Sequence, residues 1–110
     1  MMKQGPRQRG SKTQMGEPGF LPAMKVKNFV VVNGVEEPTA SQVAEVLERT
    51  TQRIRTLAQQ TSKGEISPGA KRGKVVRELR DRDAAIVDLL GPKIGPRYQA
   101  EVDKLAARED

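Results

Sequence analysis

The sequence contains no cysteine, no histidine and no tryptophan. Without cysteine there is no disulfide, no thiolate nucleophile and no thiolate metal ligand, which argues against a stapled secreted mini-domain. Without histidine the chain lacks the side chain that most often serves as general base near neutral pH and as transition-metal ligand. These absences point away from an enzyme and predict no cofactor, no metal and no small-molecule substrate. Rings are scarce too, with only Phe20, Phe29 and Tyr98. In a chain of 110 residues, Val, Leu, Ile and Ala must therefore supply nearly all the burial that offsets chain entropy. A core that thin favours docking or self-association. No run approaches the roughly 18 apolar residues of a membrane span, and the basic N-terminus has no apolar segment of the secretory kind. The expected setting is intracellular (cytoplasmic) or a virion, not secreted and without a membrane partner.

Charge is present in quantity, and its distribution matters more than the total of +6. Residues 1–27 hold six cations against Glu17 alone, a net of +5, whereas the remainder holds 14 basic and 13 acidic residues, a net of +1. A Pro/Gly-rich arm over 1–24 holds four of those cations against Glu17, a net of +3, and there no apolar period of 3.6 or 2 can be traced and disorder in isolation is expected. Lys3, Arg7, Arg9 and Lys12 can neutralise phosphates and release counterions without fixed geometry. The same residues also serve the simpler purpose of a solubilising tail.

Beyond the arm, residues 25–37 are expected to form a β-strand or small hairpin. The β-branched run ends at Asn33-Gly34, a tight-turn signal, and Pro38 cuts the second strand short. A ribbon of that size is marginal alone, so Phe29, Val30, Val31 and Val32 are the candidates for pairing with a partner strand, from another copy or a different protein.

The rest, 38–110, is expected to be a helical body with helices at about 40–61, 68–90 and 96–108. Thr39 and Gln42 stand at capping-box spacing, and Val43, Leu47, Thr50, Ile54, Leu57 and Thr61 alternate by four and three along one seam. Ser67-Pro68 opens the second helix and Gly91-Pro92 closes it. Gly95-Pro96 opens the third, where Tyr98, Val102 and Leu105 share a face, and Ile94 is placed to plug the corner. Asp83 interrupts the second apolar stripe and is expected at a water-facing rim. Glu45 with Arg49, and Glu78 with Arg82, have the spacing of exposed supporting pairs. The fold class is thus mainly α: a helical hairpin, a short third helix, one N-terminal strand and an extended arm.

One local feature breaks a rule. Helix N-termini favour acidic residues, yet the second helix opens with Lys71, Arg72, Lys74 and Arg77. Such a cluster suits phosphate or an acidic protein surface, although Glu65 and Glu78 also allow a plain solvated turn. Gly69 and Gly73-Lys74 fail as a nucleotide-binding loop, because that motif needs four intervening residues and a following Ser or Thr. The connection between the long helices exceeds that of a helix-turn-helix.

Two functions follow as expectations. The first is a non-enzymatic accessory or assembly subunit of a large complex, virion or ribonucleoprotein, partnered by other protein subunits including copies of itself. The second is a nucleic-acid-binding regulator that places the arm and Lys71–Arg77 on a DNA or RNA backbone.

Overall fold

Four valines between residues 25 and 32 favour a strand on local preference alone, but that preference spans only about 1 kcal/mol and yields to packing. In the computed structural model, which describes residues 20–108, this segment is helix α1, Ala23–Val32. The strand expected here is corrected. Val26, Phe29 and Val30, at helical spacing, turn one face to the interior, and Val26 is fully buried. Asn33-Gly34 is not a hairpin turn but a helix stop. Gly34 takes a φ of 64°, its N–H donates to the Val31 carbonyl at 3.1 Å, and the Val35 N–H donates to the Val30 carbonyl at 3.1 Å. That pair of bonds is a Schellman motif, and Val35 packs back on the core as the motif favours.

The second helix, α2, runs Thr39–Ser62. Val43, Leu47 and Thr50 are buried along the expected seam, while Ile54, Leu57 and Thr61 are half-buried. Its start differs from the capping box. Pro38 is the cap residue and makes no side-chain bond. Glu37 replaces Thr39 in the role, its carboxylate accepting the Ser41 N–H at 3.0 Å. The end repeats the α1 solution, with Gly64 at φ 79° and Glu65 donating to the Gln60 carbonyl at 2.8 Å.

The third element, α3, spans Pro68–Arg108 and is interrupted at Gly91, whose φ of 85° lies in the left-handed region. Ser67 caps its start by accepting the Ala70 N–H at 3.1 Å. The arm after the break begins at Pro92 rather than near residue 96. Pro92 fills a first helical position, where a missing N–H costs nothing, and Pro96 lies inside the helix, early enough to remove a single intrahelical bond. The arms 68–90 and 92–108 meet closely at Gly95, where an added Cβ would stand 2.7 Å from the Val87 carbonyl oxygen. Ile94 packs into the corner as its position suggested.

The described residues are thus helical throughout their regular structure, with no strand among them. Helices α2 and α3 form an antiparallel hairpin, and α1 lies over its base. There Val26, Val43, Leu47, Ile86, Leu90 and Tyr98 make one core cluster. Towards the tip only two helices remain among the described residues, and their shortest overall dimension is 20 Å, which equals about two helix diameters. Among the described residues no helix is long and apolar enough to cross a membrane.

Candidate functional site

Three features compete for a functional role: a buried polar cluster, the outward face of α1, and the basic tip of the hairpin. The buried cluster is the most specific. Asp83, expected at a rim, is 6% exposed, and Arg82 is 5% exposed. The correction has a plain geometric cause: Asp83 stands four residues after Leu79 and three before Ile86, on the buried stripe itself. Its Oδ1 accepts the Arg82 Nε and Nη2 donors at 3.0 and 2.9 Å and the Tyr98 hydroxyl at 2.6 Å. Asp83 Oδ2 has no partner among the described residues.

Arg82 does more than neutralise its neighbour. Its Nη2 also donates to the Leu21 carbonyl at 2.9 Å, so the mid-hairpin holds the short strap Phe20–Pro22 that leads into α1. The expected Glu78–Arg82 pair does not form. Glu78 instead lies 3.4 Å from Arg53 of α2, an exposed pair of small energetic weight. No ion pair joins Glu45 to Arg49 among the described residues. Tyr98 is fully buried, and Phe29 meets it edge to face at a centroid distance of 5.4 Å. Burial, and then the hydrogen bond to the Asp83 carboxylate, push the Tyr98 hydroxyl well above the usual phenol range. The cluster therefore holds its protons and charges in mutual contact. Asp83 and Tyr98 line none of the grooves described below.

The outward side of α1 exposes large apolar side chains among the polar Lys25, Lys27 and Asn28. Met24, Val31 and Val32 are 72, 77 and 81% exposed. Of the four residues expected to pair with a partner strand, Phe29 and Val30 are half-buried against the core and only Val31 and Val32 face outward. Between α1 and the second arm of α3 runs a shallow groove of about 480 Å³ whose apolar lining includes Leu21, Phe29, Val32 and Ala100. Lys25, Asn28, Asn33, Arg97 and Glu101 line it too. The sequence signal for this face was present in the second set of apolar positions, 24, 31 and 32, lying off the buried stripe of α1.

At the tip, Arg72, Lys74 and Arg77 are exposed and Lys71 is half-buried. Lys71, Lys74 and Arg77 stand three apart and form a ridge down the first turns of α3, with Lys63 at the end of α2 nearby in the chain. Lys3, Arg7, Arg9 and Lys12 lie outside the described residues. The strap does show where the arm joins: Phe20 shares a groove of about 270 Å³ with Ile54 and Leu79. Those residues stand seven positions from Thr61 and Arg72, roughly 10 Å along each helix from the tip. No protein family matches this chain, and neither a curated protein nor a solved structure is similar to it.

Proposed function

We propose that this chain is a non-enzymatic accessory subunit of a larger assembly, a virion or a ribonucleoprotein, which it joins through the outward face of α1 and its basic arm. The observation that carries this reading is the exposure of Met24, Val31 and Val32 on a helix of ten residues. Single exposed valines need no explanation, but three large apolar side chains exposed on one short helix, next to a groove lined in part by apolar residues, favour a surface that another protein covers. A catalytic role forms no part of the proposal, since the buried titratable groups Arg82, Asp83 and Tyr98 are engaged with one another. Placing a photo-crosslinking residue at position 31 in the native source should capture a defined subunit, whereas position 48 on α2 should not. Absence of any product from position 31 would remove the reading.

A second reading has its own support, in the attachment of the arm roughly 10 Å from the basic tip. The exposed Arg72, Lys74 and Arg77 at the tip would offer a phosphate backbone one basic element, and the cations at positions 3, 7, 9 and 12 a second. Binding to duplex DNA or RNA should then weaken on the order of 10³-fold between about 50 and 200 mM salt. It should weaken further when Lys71 and Lys74 are changed to Glu. No detectable binding at low salt would exclude it.

A further inference from the structure

The groove between α1 and the second arm of α3 combines two chemistries, and together they limit what can fill it. Lys25, Phe29 and Val32 stand four and three apart, so one stripe of α1 faces the groove, and Arg97, Ala100 and Glu101 face it from α3. With Leu21, the apolar members suit an apolar side chain. The charged members are unequal. Glu101 already has a counterion in Lys104, whose Nζ lies 3.5 Å from its carboxylate. Among the described residues neither Lys25 nor Arg97 has an ion-pair partner, and Arg97 donates instead to the neutral Oδ1 of Asn33 at 3.3 Å. Helix α1 carries Lys25 and Lys27 with no acidic residue, although cations are disfavoured near a helix N-terminus. The surface left over is apolar and positive.

We propose that this groove receives an acidic amphipathic helix of a partner protein, which sets apolar side chains on Leu21, Phe29, Val32 and Ala100 and carboxylates on Lys25 and Arg97. The inference rests on the protein-docking reading of α1 and names the chemistry of its partner. The two cations also fix a spacing. Arg97 marks the Asn33 end of α1 and Lys25 lies in its first turn, about 12 Å away along the axis. Two carboxylates about two helical turns apart on the partner span nearly the same distance. A phosphate backbone would leave the apolar lining uncovered and would meet Glu101, and a flat anionic membrane would rest on the projecting Met24 and Val31 without entering the groove. An acidic amphipathic helix answers both the lining and the charge. The area limits the strength. The ten residues of α1 extend about 15 Å and offer roughly 300–500 Å², below the ~800 Å² per partner of a stable interface, so an isolated helix should bind with a Kd of about 10–500 μM. Avidity within an assembly would strengthen it.

The probe is a capped synthetic helix of about twelve residues, with leucines along one face and two glutamates about two turns apart beside them. Titrated into the isotope-labelled full chain at about 50 mM salt, it should shift the amide resonances of Lys25, Phe29, Val32, Arg97 and Ala100 and leave those of the hairpin tip in place. Lys25→Glu combined with Arg97→Glu should weaken binding by about tenfold or more, because each attraction becomes a repulsion. Ala100→Gln, which fills the depression without a change of charge, should weaken it by about threefold or more. All three positions are exposed, so circular dichroism should be unchanged in both variants. Binding absent up to about 1 mM peptide, or untouched by the double charge reversal, overturns the proposal. So does a groove whose resonances answer to duplex DNA or to phosphatidylserine vesicles and not to the peptide. The docking reading has a separate fate. If the peptide fails yet position 31 still crosslinks to a defined subunit in the native assembly, only the acidic character of the partner falls.

Discussion

The base and the tip of the α2–α3 hairpin are built from the same two helices but to different standards. At the base, α1 and the folded-back second arm of α3 add a third layer, and Val26, Ile86 and Tyr98 are completely sealed. At the tip no third layer stands among the described residues, Ile54, Leu57 and Ile66 stay half-exposed, and charge takes the place of burial. A chain with three aromatic side chains has enough apolar material for one well-packed end, and it has placed two of them, Phe29 and Tyr98, there. The base is thus where stability resides, and the tip is the end that can vary its surface without disturbing the core.

The sharpest break of this contrast is Asp83→Ala. It leaves Arg82 buried without its carboxylate, a change that costs about 3–5 kcal/mol, and urea denaturation should show most of the fold's margin gone. Next comes a matched pair of truncations. Ile86→Ala in the sealed base should cost about 2–4 kcal/mol and Leu57→Ala near the tip about 1 kcal/mol, because only the first removes a fully buried side chain. Equal losses would show that the two ends are not packed differently. Gly95→Ala should cost about 1–3 kcal/mol, since the Val87 carbonyl oxygen it would meet is backbone that cannot swing aside. The smallest effect belongs to the tip: Arg53→Ala should change stability by about 0.5 kcal/mol or less, given the exposure of its pair with Glu78.

Tyr98 offers a spectroscopic version of the same comparison, because it is the one tyrosine and there is no tryptophan. Its hydroxyl is raised in the folded state, so the stability it confers is complete below the unfolded phenol value of about 10 and is lost as pH climbs beyond it. Tyrosinate absorbance should therefore appear together with loss of helical circular dichroism. A phenol that titrates normally while the helices persist would place Tyr98 outside the core.

Much of the hairpin was legible in the sequence because its signals are redundant. The seam from Val43 to Thr61, the Ser67-Pro68 start and the Gly91-Pro92 stop each fix one feature, and they agree with one another. The errors have physical causes. In α1, β-branched composition and an Asn-Gly pair suggested a strand and a turn, but a left-handed glycine ends helices as readily as it turns hairpins. Only the three-and-four spacing of Val26, Phe29 and Val30 distinguishes the two, and over ten residues that signal is faint. Asp83 was misplaced for a different reason. A carboxylate on an apolar stripe is ordinarily a rim residue, and its burial depends on Arg82, Tyr98 and the Leu21 carbonyl. The last lies 61 residues from Arg82, a proximity that no local pattern encodes. The outward ridge of α1 became visible once the helix was known, because which valines face water follows from its register.

The bond from Arg82 to the Leu21 carbonyl also sets a limit for anyone trimming or tagging this protein. A cut placed ahead of Phe20 keeps every contact described above. A version beginning at Met24 would retain nearly all of α1 yet strip one acceptor from a guanidinium that water reaches poorly. Fusion partners and affinity tags therefore belong before residue 20, and a shortened version that misbehaves in solution should first be checked for the loss of this one carbonyl oxygen.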